Sequence, residues 1–187
     1  MSKFLKSLQK TYQKLLNERS VLVNSIQTGV LMSTGDLLCQ TAIEKKPWKA
    51  VQLRRTLEFS FLGVTLVGPA VSLWFKLLAQ QFGHGSEAGT VLKKMACDQL
   101  IFAPGFLPVF LISVGLLHGD NREQLKLKLR KEYGKIIRTN WKIWPTVQLL
   151  NFYLMPLRYQ VLFVQIVALF WNIYLSSVTQ NESKDGM

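Results

Sequence analysis

The chain has 187 residues, 49% of them apolar and only 18% charged, with 23 Lys and Arg against 11 Asp and Glu for a net charge of +12. An ordinary soluble domain carries about 25% charged residues, so this chain is short of the polar surface that a small soluble globule needs, and its mean hydropathy is positive at +0.16. The length fits one domain, the apolar content excludes intrinsic disorder, and two cysteines are too few for a disulfide scaffold. Cys39 and Cys97 lie far apart and the histidines are His84 and His118, which disfavours a zinc or other metal site.

In chain order, residues 1–16 predict an amphipathic helix. Phe4, Leu5, Leu8, Tyr12, Leu15 and Leu16 share one face opposite the lysines. It reads as an interfacial helix feeding the first apolar stretch, with a mitochondrial presequence as the alternative. Four long apolar stretches follow, at about 21–42, 57–79, 99–117 and 147–176. Each reaches the roughly 18–20 residues that a helix needs to cross the hydrocarbon of a bilayer. The expected fold is therefore all-α, a single integral membrane domain built as a four-span transmembrane bundle. The fourth span should kink or break near Pro156, and residues 157–176 alone are long enough to cross. A second amphipathic helix is expected over 122–137, lying on the surface between spans three and four, and residues 179–187 form a polar tail.

The basic residues punctuate the spans instead of lining one groove. Residues 44–55 and 119–146 collect most of them, which suits contact with anionic lipid and not direct nucleic-acid binding. The same excess places those two linkers on the matrix-like or cytosol-like side.

Polar and small residues recur at helical spacing inside the spans. Ser25, Gly29, Ser33, Asp36 and Gln40 share a face, as do Glu58, Thr65, Gly68, Ser72 and Lys76, and as do Asn151, Arg158, Gln165 and Asn172. Ser25, Gly29 and Ser33 make a small-xxx-small ladder of the kind that brings helices close. The charged members need a partner or water, because a charge at mid-bilayer costs upward of about 2.5 kcal/mol. Asp98 is expected to cap span three, and Glu58 and Lys76 to lie near headgroups. For Asp36 and Arg158, the deepest charges, two readings stand: a structural ion pair, or a water-filled path. Candidate pore-lining or gating residues are thus Asp36, Glu58, Lys76, Asp98, Arg158, Gln165 and Asn172. Cys39 and Cys97 belong on opposite membrane sides, as buried thiols or, less favoured, redox-sensitive ones.

No HExxH, Walker A, GxSxG or GxGxxG motif occurs, so an enzyme is not expected, nor a cofactor. The second half carries a more specific pattern. It includes LKKMACDQLIFAPGFL at 92–107, TNWKIWPTVQLLNFYLMP at 139–156 and LFVQIVALFWNIYLS at 162–176. GDLLCQ stands upstream at 35–40, with RRT at 54–56, then Gly68, Pro69 and Trp74. Together these resemble the Mpv-seventeen family, which includes the peroxisomal-membrane-protein-twenty-two branch, over nearly the whole chain. The strongest part is W-x-x-W-P-x-x-Q-x-x-N-F, here Trp141, Trp144, Pro145, Gln148, Asn151 and Phe152.

The resemblance implies a four-span protein of the mitochondrial inner membrane or, alternatively, of the peroxisome; GDLLCQ and NFYLMPLRY lean toward the mitochondrial branch. It implies channel activity tied to metabolite and mitochondrial DNA or nucleotide homeostasis, with a non-conducting scaffold or assembly factor as the other reading. A homo-oligomer is expected if the pore is to be wide. The family's Arg in P-L-x-[YF]-R is Gln160 here, with Arg158 two residues earlier, so its role does not carry over. Trp141 and Trp144 fit an interfacial belt with Trp48 and Trp171, and Pro145 fits a first helical turn.

Overall fold

In a computed structural model the backbone is described for residues 2–83, 85 and 87–185, and side chains for residues 7, 10–83, 85 and 87–173. The side chains of Phe4, Leu5 and Leu8 of the expected amphipathic face, and the whole of His84, Gly186 and Met187, fall outside what is described. All regular structure among the described residues is helical. The helices are α1 (Ser2–Glu18), α2 (Ser20–Leu38), α3 (Leu53–Phe82), α4 (Ala88–His118), α5 (Arg122–Leu154) and α6 (Leu157–Asp185). Two of them, α3 with 30 residues and α4 with 31, are long and apolar enough on their own to cross a membrane. A third apolar helical segment, Leu157–Ile173, is shorter.

Contacts fix the order of passes. Glu58 meets His118 at one end of the α3–α4 pair, and Trp74 meets Asp98 further along, so these helices are antiparallel. Tyr133 meets Pro104 and Gln148 meets Asp98, which makes α5 antiparallel to α4. Gln165 meets Thr28 and Asn172 lies against Gly35, so α6 runs parallel to α2.

Three single turns of π-helix interrupt the passes, at Cys39–Ile43, Gly63–Val67 and Asp98–Phe102. The second and third sit just before Pro69 and Pro104. A proline ring presses on the carbonyl four residues back and supplies no N–H, and a widened turn relieves both problems. Such a turn also adds a residue to the helix and rotates everything after it. Thr65, inside the second π turn, consequently faces outward, whereas Gly68 and Ser72 beyond it face α2.

The small residues then let α2 and α3 touch backbone to backbone. A Cβ on Gly63 would lie 2.7 Å from the Gly29 Cα, and one on Gly68 would strike the Ser25 Cα. Ser33 takes no part in this crossing; its hydroxyl donates to the Val30 carbonyl at 2.9 Å.

Burial is inverted relative to a soluble bundle. On α2 the buried face carries Asn24, Ser25, Thr28, Gly29 and Asp36, while Leu22, Ile26, Val30 and Leu38 are exposed at four- and eight-residue steps. Leu57, Phe61, Leu73 and Leu77 repeat this outward apolar stripe on α3. The interior still holds an apolar cluster, with Met32, Phe59, Phe75, Phe110, Ile136 and Trp144 among its members.

The stretch 147–176 is not one kinked helix. The residue before a proline is driven out of helical geometry, and Met155 is extended at φ −96, ψ 126, so α5 ends and α6 starts back antiparallel to it. Asn151 therefore lies on a different helix from Arg158, Gln165 and Asn172. Residues 122–137 are likewise not a separate surface helix but the first half of the 33-residue α5, which runs on through Pro145 to Leu154. Pro145 lies inside α5 and not at a first turn. The start of α5 is set by a capping box: Asn121 accepts from the Gln124 N–H at 3.0 Å and its own N–H donates to Gln124 Oε1 at 2.8 Å. Asp98 lies ten residues into α4, so it is no N-cap. Helical backbone continues through the expected tail to Asp185.

Candidate functional site

The polar residues of the bundle sort into four places. The first is an ion-pair network where α2 ends and α3 begins. Arg55 Nε donates to Asp36 Oδ1 at 2.6 Å and Nη1 donates to Glu44 Oε1 at 2.7 Å. Thr56 Oγ1 and Gln40 Nε2 donate to Asp36 Oδ2 at 2.7 and 2.8 Å. Gln40 Oε1 accepts from the Gln52 N–H at 2.7 Å, which ties the linker back to the helix. Asp36 and Gln40 are both 0% exposed. The partner of Asp36 is thus Arg55, and Arg158 lies elsewhere. Glu44, in the linker, also meets Lys46 at 2.7 Å. Burial alone would raise its carboxyl pKa, but the hydrogen bonds and charges of Lys46 and Arg55 outweigh it and hold the pKa below its ordinary value. Cys39 is buried here outside any disulfide, its Sγ 3.7 Å from Glu44 Oε1; Cys97, also in no disulfide, is half-buried in the first half of α4.

The second place is Glu58, which accepts from Arg54 Nε at 2.9 Å and lies 3.2 Å from His118 Nε2 at the same end of the bundle.

The third is the centre. A cavity of about 120 Å³ lies between α2, α3, α4, α5 and α6. Met32, Val67, Val71, Phe102 and Phe106 supply apolar wall, with Trp74, Phe102 and Phe106 stacked at 5.1 and 5.0 Å. Asp98, Gln165 and Asn172 of the expected set line it, joined by Thr28, Gln99, Asn140 and Gln148. Asp98 is held on three sides: Trp74 Nε1 donates at 2.9 Å, Gln99 Nε2 at 2.8 Å and Gln148 Nε2 at 2.9 Å. Asn140 Nδ2 in turn donates to Gln99 Oε1 at 3.0 Å. Gln165 Nε2 donates to the Asn24 carbonyl at 3.2 Å and to Thr28 Oγ1.

The fourth is a recess at the other end of the bundle, about 450 Å³, where Lys76 and Arg158 stand. Phe75 borders both this recess and the central cavity. Of the seven expected pore residues, the fold thus brings Asp98, Gln165 and Asn172 to one cavity and Lys76 and Arg158 to one recess. Asp36 and Glu58 go to neither.

The W-x-x-W-P-x-x-Q-x-x-N-F residues form the side of α5 that faces α4 and the cavity. Trp141 Nε1 donates to the Gln99 carbonyl at 3.0 Å, Gln148 binds Asp98, and Asn151 Nδ2 donates to Gln148 Oε1 at 3.0 Å. Phe152 packs edge-on against Phe75 at 5.5 Å, with Lys94 Nζ 6.0 Å from its ring. Trp144 and Trp171 are each 8% exposed and stack edge to face at 6.0 Å, so they are core and not interfacial anchors; Trp48 is 77% exposed. Sequence reading missed Arg55, Thr56, Trp74, Gln99 and Asn140 as members of these sites. Gln99 and Asn140 had no spacing signal, since they meet only across helices 41 residues apart in the chain. Among the described residues no group of three or more His, Cys, Asp or Glu is placed to hold a metal.

A family model described as the Mpv17 / PMP22 family matches residues 115–176. The protein named "Mitochondrial inner membrane protein Mpv17" of Homo sapiens is 41% identical over 170 residues, 91% of this chain and 96% of its own length. Its Xenopus laevis counterpart of the same name is 40% identical over 169 residues, covering 90% and 95%. "Protein sym-1" of Neurospora crassa is 36% identical over 166 residues, covering 88% and 95%. No solved structure matches.

Proposed function

Because the chain belongs to the Mpv17 / PMP22 family, we propose that this mitochondrial inner membrane protein is a channel for small solutes. Its place in metabolite and mitochondrial DNA or nucleotide homeostasis is part of the same reading, and the role is not an enzymatic one. The observation that carries it is the central cavity, walled by five helices and supplied with polar groups from each of them except α3. Amides can serve as interhelical packing in a bilayer, but a carboxylate there is costly and marks a polar path more than a packing contact. The recess beyond Phe75 extends the same line toward one end of the bundle.

In this reading five segments cross, α2, α3, α4, the second half of α5 and Leu157–Ile173, one more than the four apolar stretches because the last stretch breaks at Met155. Outward stripes such as Leu22, Ile26 and Val30 on α2 support that arrangement, although α2 is too polar inside to qualify by average hydropathy. A cavity of about 120 Å³ is narrow for a solute, so conduction needs either displacement of Phe75 or several copies around a shared path.

The test is single-channel recording in planar bilayers. Wild type should show discrete openings. Asp98→Asn should shift ion selectivity, and Phe75→Ala should lengthen openings. Silence from folded, inserted protein, or currents indifferent to both substitutions, would overturn the channel.

A second reading is favoured by a specific observation: Asp36 and Asp98 are each held by several donors, as in a rigid frame. A non-conducting scaffold would use the bundle as a platform and the basic face of α5 as its contact. Lys131, Lys135, Arg138 and Lys142 are exposed or nearly so at steps of three and four on that face, suited to anionic lipid or an acidic partner. Loss of a specific complex on neutralising these four, with bilayers silent throughout, would select it.

A further inference from the structure

The recess at the end of the bundle has the parts of an anion site. Two cations stand in it, Lys76 from α3 and Arg158 from α6, and neither meets a carboxylate among the described residues. Among the described residues no Asp or Glu lines it. Pro156, Leu157 and Arg158 are wall residues, so the first turn of α6 is also there. The Tyr159 N–H of that turn donates to the Pro156 carbonyl at 2.8 Å, and the helix start still carries partial positive charge.

Two further groups point to an occupant. Ser72 is 2% exposed and Asn24 4% exposed, both line the recess, and Ser72 Oγ and Asn24 Oδ1 have no hydrogen-bond partner. A buried hydroxyl and a buried amide oxygen are ordinarily satisfied. Ser72 Oγ can donate to an anionic oxygen. Asn24 Oδ1 can only accept, so it asks for a hydroxyl or amine on the same molecule. Two cations, a helix start and a hydroxyl match a phosphate, and Asn24 matches a hydroxyl beside it. The volume, about 450 Å³, is that of a small-molecule site.

We propose that the recess formed by Asn24, Ser72, Lys76 and Arg158 binds a hydroxylated phosphate ester. Two sources carry that chemistry: a soluble phosphate monoester, or the headgroup of an anionic phospholipid reaching in from the bilayer. The site does not depend on conduction, and its test is a binding test.

Glycerol 3-phosphate and phosphatidylglycerol present the same group from the two sources. The purified full chain, in nanodiscs of phosphatidylcholine, is titrated calorimetrically with glycerol 3-phosphate at low ionic strength. In parallel, protein from discs containing phosphatidylglycerol is assayed for retained lipid by native mass spectrometry. Lys76→Gln with Arg158→Gln should weaken whichever ligand binds by about tenfold or more, and Ser72→Ala by about threefold. Lys76→Arg should stay near wild type, as should Lys135→Gln on the distant basic face. Glycerol 3-phosphate binding with this pattern assigns the soluble source. Phosphatidylglycerol retention alone, lost in the double variant, assigns the lipid. If neither ligand binds, or if binding ignores these substitutions in protein that melts like wild type, the site is refuted. Should the double variant fail to fold, Ser72→Ala decides on its own, because removing an unpartnered hydroxyl cannot unfold the bundle.

Discussion

Arg55 is 5% exposed between two carboxylates, Asp36 at 2.6 Å and Glu44 at 2.7 Å. Removing Arg55 leaves the fully buried Asp36 charged with only the neutral donors Thr56 and Gln40, while Glu44 keeps Lys46, and loss of such a buried partner costs about 3–5 kcal/mol. Arg55→Gln should therefore lower the melting temperature sharply in detergent, and adding Asp36→Asn should recover part of the loss. Strict additivity of the two would contradict the pairing. Glu44 makes the network pH-sensitive. Its folded pKa lies below the ordinary 4.5, so the stability it contributes is complete above 4.5 and fades as pH falls through the lowered value. Thermal unfolding between pH 6 and 3 should accordingly fall less steeply for Glu44→Gln than for wild type. At the other site, Gln148→Leu removes one of three donors to Asp98, two of which share its Oδ2. The expected loss is about 1–3 kcal/mol, and an unchanged melting temperature would mean that the carboxylate needs no such clamp.

At the scale of elements, glycines and prolines set how the helices meet. The α2–α3 crossing has no room for a single Cβ at Gly63, which would face the Gly29 backbone at 2.7 Å. Backbone cannot swing aside as a side chain can, so Gly63→Ala should cost about 1–3 kcal/mol or more by overpacking. Gly105, on α4, has nothing within 4 Å of a built Cβ. There the better helix former should leave stability unchanged or slightly raise it. Melting curves of the two variants side by side check the crossing: equal shifts would show that α2 and α3 are further apart than described. The same reasoning explains the π turns before Pro69 and Pro104. Each relieves its proline and rotates the helix beyond it, so that past the turn in α3 Gly68 and Ser72 are buried while Thr65 within it is exposed.

At the scale of the whole molecule, apolar stripes face out and amides, hydroxyls and charges face in. A charge placed on the outer stripe should obstruct insertion by about 2.5–3.5 kcal/mol. Val30→Asp, at 59% exposure, should thus move the protein into the carbonate-extractable fraction of isolated mitochondria; wild-type behaviour would argue that this face does not meet lipid. Composition and the apolar runs made a helical membrane protein legible, because hydrocarbon leaves a spanning chain few alternatives to the helix. The Trp141–Phe152 signature likewise pointed to the family before any fold was known. Steps of three, four and seven found Gln165 and Asn172, which do share a cavity wall. They failed wherever the helix was not continuous: the stripe through Asn151 and Arg158 crosses the break at Met155, and the one through Thr65 crosses a π turn. Periodicity also says nothing about partners on other helices. Asp36 was legible as a buried charge, but its pairing with Arg55 and not Arg158 depends on the linker folding back at Gln40 and Gln52. The sequence by itself determined the environment, since transfer free energy is a sum over residues. Only the tertiary structure decided which polar groups satisfy one another and which are left open, because hydrogen bonds and ion pairs act over a few ångströms between residues far apart in the chain.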